Sequence, residues 1–166
     1  MKKTKRLSVA SLMAAVCVVI LSVGSLVESL DISLSILAGL VVMIMTTEYG
    51  SKMGWSIFAV AGVLSLFLPL KTPGVFFLAL FGWYPIAQKK IQMLRPFLAY
   101  VVKEILFNLI LVLGLFLSAF VTKTQEATWL YGVTFLLANA CFVLYDLLLD
   151  RFWIWYLIKI RKRLGF

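Results

Sequence analysis

The stretch LSVASLMAAVCVVILSVGSLV (residues 7–27) follows the basic leader MKKTKR, and it is long and apolar enough to cross a membrane as one helix. Its first half contains five small residues, Ser8, Ala10, Ser11, Ala14 and Ala15. Lipid alone would be satisfied by Leu, Ile or Val, whereas small residues spaced four apart let two helix backbones approach closely. The stretch therefore predicts a membrane helix packed tightly against another helix, either of this chain or of a partner.

The composition of the whole chain indicates an integral membrane protein. The 166 residues are 63% hydrophobic and only 14% charged, and the mean hydropathy is +1.05. A soluble domain is nearer half apolar and about a quarter charged. One soluble core could not bury this much apolar surface, so part of the surface must face lipid. We expect an all-α polytopic membrane protein.

The side chains that support most enzyme chemistry are missing from the sequence. Histidine is absent, which removes the commonest metal ligand and the commonest general base. No Gly-rich phosphate loop, catalytic carboxylate pair or nucleophile elbow is present. Cys17 and Cys141 lie inside apolar runs, as small core residues do. We expect no enzyme activity, no metal and no cofactor, and any pumping driven by ATP would need a partner.

Charged residues and turn residues divide the chain into six apolar segments. The first is expected to be a retained span and not a cleaved signal peptide, because its apolar run continues to Val27. The middle three segments are short against the roughly 20 residues of an upright spanning helix. We predict a single membrane domain over residues 1–166, a bundle of six spans at residues 7–27, 32–46, 55–70, 74–87, 97–121 and 128–149, with a basic amphipathic tail at residues 151–166.

The distribution of Lys and Arg predicts the orientation of these spans. With the N-terminus in the cytoplasm, only Lys71 and Lys123 fall outside and Lys103 falls within the fifth span. This bias favours a plasma-membrane protein with both termini in the cytoplasm. The net charge of +9 then reflects topology and anionic inner-leaflet lipid, and not a nucleic-acid partner. The residues placed inside are Lys2, Lys3, Lys5, Arg6, Lys52, Lys89, Lys90, Arg95, Arg151, Lys159, Arg161, Lys162 and Arg163.

Polar residues within the fifth and sixth spans form a second predicted constellation. Charged groups at this depth are costly unless they are paired, so they are expected to face the bundle interior. Residues four apart share a helix face, as Glu104 and Asn108 do. An interhelical polar clamp and a proton or ion relay both fit the pattern. The set comprises Lys103, Glu104 and Asn108 in the fifth span and Asn139 and Asp146 in the sixth.

Acidic and aromatic residues at the predicted outer face form the third constellation. Aromatic walls with a few polar groups at a mouth are typical of a small-molecule site. An interfacial aromatic belt with solvated acids would give the same pattern. The candidate substrate-binding residues are Glu28 and Asp31 in the first outer loop, with Phe76, Phe77, Phe116, Trp129 and Tyr131.

Taken together, the basic leader, the small-residue pattern of LSVASLMAAVCVVI and the six spans resemble the substrate-binding (S) component of energy-coupling factor transporters. The GWYPI stretch (residues 82–86) is also similar to bacterial proteins of this type. The resemblance implies that Ala10 and Ala14 contact a transmembrane coupling subunit and that two cytosolic ATPases drive the cycle. It also implies capture of a vitamin or similar trace nutrient from outside.

Two other hypotheses remain open on the sequence. The chain could be a structural or regulatory scaffold that assembles partners through its small-residue face and basic tail, without a small ligand. It could also be a stand-alone ion-coupled transporter that uses Lys103, Glu104 and Asp146. A ligand retained by the purified protein would distinguish the importer subunit from the scaffold, and transport by the isolated protein would identify the third.

Overall fold

The computed structural model describes residues 3–68, 71–122 and 128–160, and all of their regular structure is helical. No β-strand occurs in these ranges, so the all-α prediction is confirmed for them. A 3₁₀ turn covers Glu28–Leu30, and π-helical turns cover Phe77–Phe81 and Tyr156–Ile160. The α-helices are α1 (Lys3–Leu26), α2 (Asp31–Tyr49), α3 (Ser51–Ser65), α4 (Thr72–Phe76), α5 (Tyr84–Ile91), α6 (Pro96–Thr122) and α7 (Thr128–Trp155).

Four helices in the described part of the chain are long and apolar enough to cross a membrane, so the predicted count of six spans is not confirmed. α3 has 15 residues, which at 1.5 Å per residue gives about 22 Å, against a hydrocarbon core of about 30 Å. The predicted fourth span is interrupted and becomes α4, a π-helical turn and α5. The four candidate spans are Arg6–Gly24, Asp31–Tyr49, Pro96–Phe116 and Trp129–Lys159.

The predicted tail at residues 151–166 does not start where the sequence suggests. α7 continues through residue 151 to Trp155, and the π-helical turn extends helical structure to Ile160. The apolar and aromatic residues of FWIWYLI therefore belong to the last helix and not to a separate tail. Residues 161–166, which hold part of the basic cluster, lie outside the described residues, as does Lys123.

The chain forms two compact units, residues 1–103 and residues 104–166, whereas the sequence predicts one domain. Unit 1 contains α1 to α5, and α2 is the helix that touches most of the others. The sharp turn between α2 and α3 depends on Gly50, whose φ of 91° is accessible to glycine at little cost. This turn lets α2 and α3 pack side by side, and both also pack against α1.

The small-residue face of α1 is part of the core of unit 1. Ala10, Ala14, Cys17 and Leu21 follow one another at spacings of four, three and four, so they share one helix face. All four are buried in the same apolar cluster as Ala38 of α2 and residues of α3. Ala10 and Ala14 are only 7% and 4% exposed. The close neighbours that these alanines admit are therefore helices of the same chain.

Glycines complete the close packing of unit 1. A Cβ atom on Gly39 of α2 would overlap the backbone carbonyl oxygen of Phe81 in the π-helical turn. Likewise, a Cβ atom on Gly54 of α3 would overlap the hydroxyl of Thr46 on α2. Helix association in lipid depends on such close contacts, because lipid tails are as apolar as the helix surface. The hydrophobic effect therefore does not drive the helices together.

The α4–α5 segment is a helix interrupted once. In the π-helical turn the N–H of Gly82 donates to the carbonyl oxygen of Phe77 at 2.7 Å, five residues back. Pro73 lies in the first turn of α4 and Pro85 in the first turn of α5, where a missing N–H is tolerated. Pro85 therefore begins a helix.

Unit 2 consists of α6 beyond residue 103 and α7 with its π-helical turn. The rings of Phe107 and Phe142 stack with centroids 4.2 Å apart and planes 6° from parallel. Next to this stack, the side-chain amides of Asn108 and Asn139 exchange two hydrogen bonds of 3.1 and 3.2 Å. Most of the remaining apolar side chains of these helices are exposed, as expected for helices in lipid.

Candidate functional site

Four polar side chains and the backbone carbonyl group of Pro73 lie at one end of unit 1, where the ends of four helices meet. The group consists of Ser25 at the end of α1, Asp31 and Ser35 at the start of α2, Ser65 at the end of α3 and Pro73 at the start of α4, and we call it the polar end. The Ser35 hydroxyl joins α2 to α4, since its Oγ lies 2.9 Å from the carbonyl oxygen of Pro73. All five residues are buried.

The serine hydroxyls of the polar end are all used by the backbone. Ser25 donates to the carbonyl oxygen of Ser22 at 2.9 Å, and Ser65 donates to that of Gly62 at 2.7 Å. The Oγ atom of Ser35 lies 2.6 Å from the carbonyl oxygen of Asp31, besides its contact with Pro73. Each hydroxyl has one proton to donate, so none of the three hydroxyls is left to donate a hydrogen bond to a carboxylate.

Asp31 is the exceptional group in the polar end. It is only 8% exposed, and its Oδ1 atom is buried without a hydrogen-bond partner in the described part of the protein. The dipole of α2 favours a negative charge in its first turn by up to about 2 kcal/mol. A desolvated charge costs several kcal/mol, so the dipole offsets only part of this cost. The carboxylate therefore retains unused capacity to accept a hydrogen bond from a donor outside the chain.

The other residues of the predicted outer site do not line a common mouth in the structure. Phe77 is fully buried in the core of unit 1, with its ring 5.7 Å from that of Phe58, and its role in substrate binding stays a prediction. It fills the space beside the π-helical turn. Phe76 is partly exposed on α4. The backbone of Glu28 lies in the 3₁₀ turn, but its side chain lies outside the described residues.

Phe116, Trp129 and Tyr131 belong to unit 2. Phe116 and Trp129 are 70% and 68% exposed, while Tyr131 is half-buried. Large exposed aromatic side chains on membrane helices are typical of contact with lipid and headgroups. Their surroundings in unit 2 therefore fit the belt interpretation that the sequence also allows.

The structure places Ala10 and Ala14, the predicted contacts of a coupling subunit, in the core of unit 1. Both methyl groups point into the core of unit 1, where α2 and α3 already occupy the space beside them. The exposed small residues of the same stretch are Ser8, Ser11 and Ala15. The sequence could not separate the two faces, because both show small residues at helical spacing.

Three members of the predicted polar constellation are brought together in unit 2. Asn108 donates to Asn139 across the two helices, and it also donates to the carbonyl oxygen of Glu104 at 2.9 Å. The side chains of Glu104 and Asp146 are half-buried. Lys103 is the last residue of unit 1 and is buried. In the described residues, no group of three His, Cys, Asp or Glu could hold a metal ion.

Asp31 is among the site residues predicted from the sequence, whereas the three serines and Pro73 of the polar end are not. A signal was present for Ser35, because residues 31 and 35 are four apart and share a helix face. No comparable signal links Ser25, Ser65 or Pro73, since their proximity depends on how four helix ends meet. Comparison with protein-family models, curated proteins and solved structures finds no match for this chain.

Proposed function

We propose that this protein is the membrane-embedded substrate-binding subunit of an importer of the energy-coupling factor type, and that it captures a small nutrient at the polar end of unit 1. The observation that supports this proposal is the buried Oδ1 atom of Asp31, which has no hydrogen-bond partner in the described residues. A bound molecule with an N–H or O–H group would supply the missing donor. Small-molecule sites characteristically combine an apolar lining with a few such polar groups.

The proposal includes the topology expected from the sequence. The chain crosses the plasma membrane six times with both termini in the cytoplasm, and α3 and the α4–α5 segment are the two short crossings. Under this topology the polar end faces outward and is reached from outside the cell. Neighbouring Phe76, which is partly exposed, then provides an apolar surface at the entrance.

The import step requires partners. The sequence has no phosphate-binding loop, so a transmembrane coupling subunit and two cytosolic ATPases supply the energy. Because Ala10 and Ala14 are internal, the face of α1 that remains for a coupling subunit is the one with Ser8, Ser11 and Ala15. Small residues on that face would again allow close approach of a partner helix.

Native mass spectrometry of the purified protein tests the proposal. The wild type is expected to retain a small molecule at about one copy per chain. Asp31→Asn removes the charge while keeping the shape of the side chain. We expect this variant to retain at least about tenfold less of the molecule than the wild type, as for the loss of a hydrogen bond to a charged group. Asp150→Asn is the matched control, because it makes the same change in unit 2 and should retain the molecule.

Other outcomes favour the other hypotheses. A wild-type protein that carries no small molecule but forms a stable complex with membrane partners would contradict the proposal and support the scaffold. Transport by the isolated protein in liposomes, abolished by Glu104→Gln, would support the ion-coupled transporter instead. Size-exclusion profiles of each variant establish that a lost molecule does not reflect a lost fold.

A further inference from the structure

A shallow cleft of about 320 Å³ lies at the turn between α5 and α6, entirely within unit 1. Its lining is mainly apolar, with three polar side chains among the residues that form it. Such a combination suits a ligand with an apolar body and one polar group. The lining residues are Gln92, Leu94, Pro96, Ala99, Tyr100 and Lys103.

Lys103 supplies a positive charge to this cleft. The residue is only 7% exposed, and a Lys ammonium that is mostly removed from water is costly unless negative charge lies near it. An ammonium has three N–H donors, so Lys103 can bind an anion in the cleft and keep another partner at the same time. The cleft is therefore suited to an anionic group.

The surface around the cleft combines further positive charge with exposed apolar side chains. Lys89 and Lys90 lie in the last turn of α5, and Arg95 immediately precedes α6. Met93 and Phe97, beside the lining residues, are 81% and 77% exposed. A water-facing turn has little use for such apolar side chains, whereas a turn at the headgroup level of a bilayer places them among acyl chains.

We propose that this cleft binds an anionic phospholipid, with the lipid phosphate beside Lys103 and the acyl chains along the exposed apolar side chains of the turn. Clusters of basic residues at the membrane surface attract anionic lipid electrostatically. The buried position of Lys103 adds a specific contact to this general attraction. The site is separate from the polar end and does not depend on the proposed transport function.

Lipid binding is tested with the purified full-length chain in nanodiscs of mixed phosphatidylglycerol and phosphatidylcholine, followed by native mass spectrometry. The wild type is expected to retain phosphatidylglycerol in at least about tenfold preference, and Lys103→Gln should reduce that preference to a few-fold. Lys52→Gln, a change at an exposed residue of α3, is the control and should leave the preference unchanged. Equal retention of the two lipids by the wild type would overturn the proposal.

A second pair of variants keeps the test valid where Lys103→Gln fails to fold. Leu94→Glu places a negative charge in the lining, and Ser56→Glu places the same charge on an exposed residue of α3 outside the cleft. We expect Leu94→Glu to lower phosphatidylglycerol retention several-fold more than Ser56→Glu does. Equal effects of the two variants would overturn the proposal.

Glycerol 3-phosphate at millimolar concentration distinguishes a lipid from a free phosphate. We expect it not to displace phosphatidylglycerol, because it lacks the acyl chains that the exposed side chains would contact. Displacement by glycerol 3-phosphate would show a site for a soluble phosphate and would contradict the assignment of a lipid.

Discussion

Apart from Gly50 in the turn between α2 and α3, the described glycines of unit 1 lie where other parts of the unit approach closely. At Gly114 and Gly132 in unit 2, by contrast, a Cβ atom would have no described heavy atom outside its own helix backbone within 4 Å. Unit 1 is held together by close approach of backbones at small residues, and its hydroxyls bond back to the main chain. In the described part of unit 2, the contacts between α6 and α7 include a pair of amides and a pair of stacked rings. The same apolar composition thus supports two kinds of helix packing.

This difference explains where a binding site can form. A closely packed unit can hold a buried carboxylate in a fixed position, because the helix ends around it cannot move apart easily. Asp31 has such surroundings at the polar end. The two long helices of unit 2 bury few side chains within the described residues, and their candidate site aromatics are mainly exposed.

Among the variants that compare the two units, Gly39→Ala in unit 1 is expected to change the free energy of unfolding most. The new Cβ atom would overlap the Phe81 carbonyl oxygen, and a backbone atom cannot rotate away as a side chain can. We expect the free energy of unfolding to fall by about 3 kcal/mol, the upper range for overpacking. Unfolding in mixed micelles with increasing dodecyl sulfate, followed by tryptophan fluorescence, measures the change.

Gly114→Ala is the matched control for this comparison. A Cβ atom on Gly114 would have no described neighbour within 4 Å outside its own helix backbone. The same change should therefore be neutral or stabilise α6 by up to about 1 kcal/mol through helix propensity. Similar destabilisation by the two variants would mean that the units do not differ in the way their helices pack.

A smaller effect is expected from Ala14→Leu. The added side chain has no room between α1 and its neighbours in unit 1, so the free energy of unfolding should fall by about 2 kcal/mol. Ala15→Leu adds the same volume on the exposed face of α1 and should change stability by less than about 0.5 kcal/mol. The same dodecyl sulfate titration compares the two variants, and a stable Ala14→Leu protein would show that this face is open to a partner.

The smallest effect concerns the amide pair of unit 2. Replacing Asn108 and Asn139 with Leu, singly and together, forms a double-mutant cycle. We expect a coupling energy of about 1 kcal/mol, the usual size for a hydrogen bond between membrane helices. Additive effects would mean that the two amides do not stabilise each other.

The sequence predicted the long apolar helices and the all-helical fold because these depend on local properties. An apolar run of sufficient length indicates a helix in lipid. Glu28 and Asp31 are conspicuous because they follow such a run, but their role in binding stays a prediction. The sequence did not show which face of α1 is internal. Periodicity groups Ala10 with Ala14 and Ser8 with Ser11 and Ala15, but only the packing of α2 and α3 decides between the two faces.

The interruption of the fourth predicted span could not be predicted from the sequence either. The π-helical turn at Phe77–Phe81 depends on the contact between its backbone and Gly39, which lies far away along the chain. Phe77 looked like a residue of an outer mouth because it lies near Lys71 and Pro73 in the sequence. Its burial follows from the way the segment packs against α2 and α3.

The proposed function requires that a small molecule binds to Asp31 at the polar end of unit 1. An experimental structure of the protein as purified, in a lipid nanodisc, shows whether such a molecule is present. We expect density that does not belong to the protein, at hydrogen-bonding distance from the Oδ1 atom of Asp31. A carboxylate of Asp31 that instead pairs with a side chain such as Lys71, with no other density beside it, would overturn the proposed function.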